Sequence, residues 1–100
     1  MGDDLFTFYM QVCGDEALAE ASLSRLRRHY PVARLILCSD GGDPLALSVL
    51  GEQFAAEMHA GKALYGVENG GRLWQRIFDL YLKKPTAFLV KIDPDTRIDR

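Results

Sequence analysis

The stretch Ala87-Phe88-Leu89-Val90-Lys91-Ile92-Asp93-Pro94-Asp95-Thr96 joins an apolar run to two carboxylates one residue apart. Its β-branched and aromatic residues are typical of a buried strand, and Pro94, which has no N–H to donate, predicts a turn into a loop. Two carboxylates on one loop repel each other unless a cation lies between them, and Mg²⁺ and Mn²⁺ prefer such oxygen ligands. The stretch therefore predicts either a divalent-cation site at Asp93 and Asp95 or a simple turn, for which Asp-Pro-Asp-Thr is also well suited.

The composition of the chain is that of one folded domain, predicted to span residues 1–100. A hydrophobic fraction of 48% with 26% charged residues is typical of a folded soluble protein. A net charge of −2 gives no reason to expect binding to nucleic acid or to an acidic membrane surface. No apolar run has membrane-spanning length, and the start Met1-Gly2-Asp3-Asp4 lacks the basic flank of a signal peptide. We therefore expect a cytoplasmic protein with reduced cysteines.

Strand and helix patterns alternate along the chain. The predicted strands cover residues 5–12, 33–39, 63–67 and 87–92, and the predicted helices cover residues 15–29, 44–60 and 72–83. Asp15 is a suitable helix N-cap, and Asp43-Pro44 is a clear helix start. Gly61 is predicted to end the second helix. We expect Leu18, Met58 and Trp74 to face the core, and His29 and His59 to lie at helix ends.

This alternation predicts an α/β fold of three layers, in which helices cover both faces of an open parallel sheet. Ligands of such sheets bind at the carboxyl ends of the strands, near the point where the strand order reverses. The loops expected at that edge contain most of the unusual residues; they are Cys13-Gly14, Ser39-Asp40-Gly41-Gly42, Glu68-Asn69-Gly70-Gly71 and Asp93-Pro94-Asp95.

Two common nucleotide-binding motifs and the receiver-domain pattern fit the chain poorly. The first strand-to-helix turn, Cys13-Gly14-Asp15-Glu16-Ala17-Leu18, lacks the G-x-G-x-x-G of dinucleotide-binding folds, and no G-x-x-x-x-G-K-[ST] loop is present. A receiver domain would need an acidic cluster, a phosphoacceptor and a late lysine, which Asp15, Glu16 and Asp40 match only loosely.

Three landmarks in order resemble the nucleotide-sugar-binding half of a GT-A-fold glycosyltransferase similar to the inverting family-two enzymes. They are the run from Leu23 to Leu37 leading into Ser39-Asp40-Gly41-Gly42, then Gly70-Gly71 before a helix, and then Lys91-Ile92-Asp93-Pro94-Asp95-Thr96. The resemblance covers nearly the whole chain. It implies a four-stranded Rossmann-like sheet in the order 3-2-1-4, with a nucleoside diphosphate over the strand ends.

The resemblance also implies a role for each site residue. Cys13 and Gly14 would pass near the base and ribose, and Asp40, followed by Gly41, would hydrogen-bond the base edge. Gly71, with Arg72 or Arg76, would line the nucleotide. Asp93 would approach the ribose, and Asp93 and Asp95 form the expected metal site, where Asp95 holds a divalent cation that neutralises the diphosphate leaving group. Mn²⁺ or Mg²⁺ is expected to bind only together with nucleotide.

The chain ends at Arg100, before the acceptor-binding half that supplies the catalytic base in that family. We therefore expect a donor-binding domain that is inactive alone; the alternative is a doubly wound interaction or scaffold module without ligand. We further expect a homodimer or a completing partner chain that covers part of the third or fourth strand or the adjacent helix faces. Cys13 and Cys38 should lie close together if the first two strands are neighbours.

Overall fold

Four parallel strands form one open sheet in a computed structural model of the chain, which describes residues 5–12, 16–40, 44–61 and 70–94. The elements in chain order are β1 (Phe6–Val12), α1 (Glu16–His29), β2 (Arg34–Asp40), α2 (Pro44–Phe54), β3 (Glu57–Gly61), α3 (Gly70–Tyr81) and β4 (Phe88–Ile92). The strand order is β3-β2-β1-β4, and every neighbouring pair is parallel. The predicted α/β class and the order 3-2-1-4 are confirmed.

The helices lie on both faces of this sheet. Alternate residues of β1 and β2, such as Phe8, Met10 and Leu37, pack with α1 and α2 in one core cluster. The intervening residues, such as Tyr9 and Ile36, pack with α3 in a second cluster. The chain moves from β1 through β2 to β3 and then returns across the sheet to β4. Crossovers of one handedness that run in opposite directions place their helices on opposite faces, as observed here.

The end of α2 corrects the predicted second helix and third strand. Ala55 has φ 54°, and the Ala56 N–H donates to the Gly51 carbonyl at 2.9 Å. This left-handed residue and backward hydrogen bond form a Schellman cap, which ends α2 at Phe54, whereas the helix was predicted to continue to Ala60 and to stop before Gly61. Strand β3 follows at once, so His59 lies in a strand and not at a helix end, while residues 63–67 lie outside the described residues.

Three other side chains differ from the predicted core. Leu18 is 55% exposed, and Trp74 is 44% exposed on the flank of α3, where its ring packs against Phe78 at a centroid distance of 5.7 Å. Met58 is 39% exposed because it lies on β3, the sheet edge, rather than in α2. The fourth strand, expected to be buried, is also an edge strand, and Phe88 is half-exposed there.

Two arginines connect the helix ends to the side of the sheet where the strands begin, which we call the amino edge; the opposite side, where the strands end, is the carboxyl edge. The guanidinium of Arg34 forms a two-pronged pair with the Glu57 carboxylate at 2.5 and 2.9 Å. It also donates to the carbonyls at the end of α3; these belong to Leu80 (2.8 Å), Tyr81 (2.9 Å) and Lys84 (3.0 Å). Arg34, at the start of a largely apolar strand, thus caps the end of α3, which packs on one face of the sheet.

Arg27 does the same on the other face of the sheet. Its guanidinium donates to the carbonyls of Ala33 (2.6 Å), Phe54 (2.9 Å) and Tyr30 (3.1 Å). These carbonyls belong to the end of α2, the residue after α1 and the residue before β2. Arg27 therefore joins three segments whose backbone acceptors would otherwise lack an intrahelical or ladder partner.

Among the described residues, no helix is long and apolar enough to cross a membrane.

Candidate functional site

The strand order reverses between β1 and β4, and the two strands run parallel from Phe6 beside Phe88 to Met10 beside Ile92. Crossovers leave the sheet in opposite directions on the two sides of this pair. In open parallel sheets the ligand crevice usually lies beyond the carboxyl ends of such a pair, which here are Val12 and Ile92. We call the part of the sheet edge beyond Val12 and Ile92 the switch crevice.

Asp93 lies directly after β4 at the mouth of the switch crevice. Its carboxylate is 66% exposed, and its Oδ1 accepts from the Lys91 ammonium at 3.1 Å. Because residues two apart on a strand face the same side, the strand itself brings these two groups together. Part of the negative charge of the predicted cation site is thus offset by a neighbouring lysine.

Pro94, which follows Asp93, is hydrogen-bonded to α1. The hydroxyl of Ser22, a buried side chain on the inner face of α1, donates to the carbonyl oxygen of Pro94. This contact fixes the backbone of the residue immediately before Asp95. Ser22 was not among the predicted site residues; the available signal was a hydroxyl on the face of α1 that also carries Ala19, Leu23 and Leu26.

Arg76 projects from α3 toward the sheet. Its Nε atom is buried, and its guanidinium lies near the hydroxyl of Tyr9, which is fully buried on β1. Burial raises the pKa of Tyr9, the adjacent Cys38 thiol raises it further, and Arg76 partly opposes both effects. Tyr9 therefore remains a neutral hydroxyl at physiological pH. Tyr9 was not among the predicted site residues.

Gly71 and Arg72 lie in the first turn of α3, and both are exposed. Apart from the glycine itself, its two neighbours and the adjacent backbone of α3, no described atom lies within 4 Å of the position that a Cβ on Gly71 would take. Packing against the described residues therefore does not require glycine there, and the backbone is open to a ligand. Arg72 is solvent-exposed while Arg76 faces the sheet, so the two predicted nucleotide-lining arginines have different surroundings.

The remaining predicted site residues are only partly within the described structure. Asp40 is the last residue of β2 and so lies at the carboxyl edge, two strands from β4, or about 10 Å across the sheet. Cys13, Gly14, Gly41 and Asp95 lie outside the described residues. The predicted proximity of Cys13 and Cys38 is therefore untested, while Cys38 is a buried free thiol. Within the described ranges, no group of three His, Cys, Asp or Glu residues is arranged to hold a metal.

His59 is a half-buried side chain that was predicted to lie at a helix end. It lies on β3 beside Cys38, and its Nε2 atom has no hydrogen-bond partner among the described residues. Burial lowers the pKa of His59, and the nearby Lys83 and Arg34 add to this effect while Glu57 opposes it. The pKa of Glu57 is itself lowered by its hydrogen bond from Arg34.

No protein-family model matches the chain, and a comparison with curated proteins finds no significant match. The resemblance to GT-A-fold glycosyltransferases therefore stays a prediction that rests on the motifs of this sequence.

Proposed function

We propose that this chain is a glycosyltransferase-like domain that binds the nucleoside diphosphate of a sugar donor at the switch crevice. The observation that carries the proposal is the reversal of strand order between β1 and β4 with Asp93 directly after β4. An open parallel sheet binds ligands at this point, and this chain has a carboxylate there that is followed by a second one two residues later. Binding without transfer is the activity proposed for the chain by itself, in the cytoplasm.

In this proposal different residues contact the base, the ribose and the phosphates of the nucleotide. Asp40 accepts a hydrogen bond from the base, and the Cys13-Gly14 turn with Gly41 passes beside the base and ribose. Asp93 contacts the ribose, and the first turn of α3 supplies Gly71 and the exposed Arg72 toward the phosphates. A diphosphate is attracted by Arg72 and by the positive end of the α3 dipole. Arg76, which faces Tyr9, supports the wall of the site from beneath α3.

A divalent cation, Mn²⁺ or Mg²⁺, completes this site through Asp93 and Asp95. One or two carboxylates do not fully dehydrate such an ion, which usually takes the rest of its ligands from phosphate oxygens and water. Lys91 also competes for the Asp93 carboxylate at 3.1 Å. Metal alone is therefore expected to bind weakly, and nucleotide and metal are expected to strengthen each other.

The test is calorimetry of a nucleoside diphosphate with and without Mn²⁺. We expect the parent chain to bind more tightly with Mn²⁺, and Asp95→Ala to lose this metal-dependent gain. Asp40→Ala should weaken the preference for one base and keep the metal effect. Asp79→Ala is the matched control, because Asp79 is an exposed carboxylate on the outer side of α3. An equal metal response in the parent and Asp95→Ala would rule out the site.

A second candidate function is a doubly wound interaction module without ligand. It is favoured by large apolar side chains that are 44–63% exposed around the β4 edge and the flank of α3; they are Trp74, Phe78, Leu82 and Phe88. An edge strand beside such residues invites pairing with another chain, which is consistent with the proposed homodimer. Light scattering at about 100 μM, where a standard-size interface is populated, should then give a dimer that Phe88→Lys disrupts. A monomer with nucleotide binding would exclude this alternative.

A further inference from the structure

A groove lies between the first two turns of α1 and α2, in the layer opposite α3. It has a volume of about 470 Å³, and its walls are formed by Glu16, Ala17 and Glu20 on α1 and by Leu45, Ala46 and Val49 on α2. The floor is the buried Leu50. The groove faces away from the layer that contains Arg72 and Arg76, so the nucleotide proposal does not account for it.

The α2 wall exposes more apolar surface than a solvated helix normally does. Leu45 is 72% exposed and Val49 is 57% exposed, although the buried side of α2 already carries Leu47 and Leu50. A helix that is apolar on both sides is typically covered on both sides. Leu45 and Val49 are four residues apart, so they form one stripe along the groove.

The α1 wall carries uncompensated negative charge. Glu16 and Glu20 are four residues apart on one helix face, where like charges destabilise each other. Neither carboxylate forms an ion pair within the described part of the chain, and the described residues that line the groove include no basic side chain. Glu16, in the first turn, also offsets the helix dipole, but Glu20 lies a turn further on and is not explained by it.

We propose that this groove binds a basic amphipathic helix of a partner protein. The apolar face of such a helix covers Leu45 and Val49, and its flanking lysine or arginine side chains lie beside Glu16 and Glu20. An apolar groove with one charged rim fits this mode of recognition, in which apolar anchors provide affinity and complementary charges set the orientation. We take the partner to be another protein, because Trp74 and Phe78, the exposed apolar residues within α3 of a second copy, are bordered on the same helix by Gln75 and Asp79 and not by lysine or arginine.

The probe is an 18-residue fluorescein-labelled peptide of leucine and lysine, with leucine at helical i, i+3, i+4 and i+7 spacing. Fluorescence anisotropy with the full chain should saturate with a Kd below about 100 μM, as for weak transient interfaces. Leu45→Gln and Val49→Gln should each weaken binding about tenfold. Glu16→Gln with Glu20→Gln should weaken it about threefold to tenfold and remove most of its salt dependence between about 50 mM and about 500 mM.

Matched controls separate the groove from general stickiness. Val32→Gln and Glu52→Gln change one exposed apolar and one exposed acidic residue outside the groove, and both should bind like the parent. Circular dichroism establishes that each variant is folded. Substitutions at exposed positions such as these usually leave the fold intact. The proposal is overturned if a scrambled peptide or one with glutamate in place of lysine binds equally well, or if the groove variants bind like the parent. Self-association of the chain that Leu45→Gln abolishes would also overturn it, because a second copy would then occupy the groove.

Discussion

The amino edge of the sheet, where the four strands begin, and the carboxyl edge, where they end, differ in the contacts of their charged side chains. At the amino edge, Arg27 and Arg34 donate to backbone carbonyls at the helix ends and in the segments that follow them at 2.6–3.1 Å, and Arg34 also pairs with Glu57. At the carboxyl edge, Asp93 is mostly exposed beside Lys91, and Arg72 faces solvent. The arginines at the amino edge are thus occupied by hydrogen bonds within the fold, whereas Asp93 and Arg72 at the carboxyl edge are accessible to solvent.

The geometry of a parallel α/β fold explains this difference. Each helix runs back from the carboxyl edge to the amino edge, so the negative ends of the helix dipoles and their unpaired carbonyls gather at the amino edge. Arginine can donate up to five hydrogen bonds and satisfies several such carbonyls at once. The carboxyl edge instead receives helix N-termini, which attract anions. Stability should therefore depend on arginines at one edge, and ligand binding on residues at the other.

Arg34→Ala should have the largest effect on stability. It removes the Glu57 pair and three carbonyl bonds of a side chain that is only 11% exposed. We expect the free energy of unfolding to fall by about 3 kcal/mol. Urea denaturation measures this loss. Glu57→Gln, which keeps the carbonyl bonds, should cost clearly less; equal losses in the two variants would mean that capping of α3 is unimportant.

Arg27→Ala should come next, with a loss of about 2 kcal/mol, because it leaves the carbonyls of Phe54, Tyr30 and Ala33 without their guanidinium donor. Arg28→Ala is the control, since Arg28 is adjacent in sequence but exposed, and it should change stability by no more than about 0.5 kcal/mol. The same urea titrations compare the two variants. Similar values for both would contradict the proposed tie between α1, α2 and β2.

Ala55→Gly should stabilise the protein by about 1 kcal/mol. Ala55 has φ 54°, and a residue with a Cβ is strained in this left-handed conformation, while glycine is not. Thermal unfolding should show a rise in melting temperature of roughly 5 °C for a domain of this size. Ala56→Gly, one residue further on, should not raise it. A lower melting temperature for Ala55→Gly would contradict the assigned helix cap.

The smallest effect concerns pH and His59. Because burial lowers the pKa of His59 below its usual 6.5, the unfolded chain takes up this proton more readily than the folded one. The associated stability is therefore fully present above pH 6.5 and is lost as the pH falls below it. We expect less than about 1 kcal/mol, since a partly solvated imidazole is screened. Denaturation at several pH values should show the loss in the parent and in His29→Gln, and not in His59→Gln.

The end of α1 could be predicted from sequence and the end of α2 could not. Pro31 cannot continue a helix and disfavours helical geometry in the residue before it, so α1 ends at His29 as predicted. The end of α2 at Phe54 depends on Ala55, which adopts a left-handed conformation typical of glycine, and the sequence contains no signal for this. Gly61 was the wrong terminator for the same reason, and the third strand was predicted too late.

The candidate site shows a similar division. Asp93 could be placed at the carboxyl edge because it directly follows an apolar strand, and all parallel strands end at one edge. The hydroxyl tether from Ser22 to the Pro94 carbonyl could not be predicted, because it joins residues that are 72 positions apart and depends on how α1 packs on the sheet. The direction of Arg76 toward Tyr9 depends likewise on the rotation of α3 about its axis.

The most direct test of the difference between the edges is nuclear magnetic resonance with a paramagnetic ion. The ¹⁵N-labelled chain is saturated with a nucleoside diphosphate, and Mn²⁺ is compared with diamagnetic Mg²⁺. The ends of β2 are about 20 Å apart, so an ion at one edge broadens amide signals unequally. The account predicts strong broadening at Asp40, Gly71 and Asp93, with little at Arg27 and Arg34. Equal broadening at both edges, or broadening centred on the arginines, would contradict it.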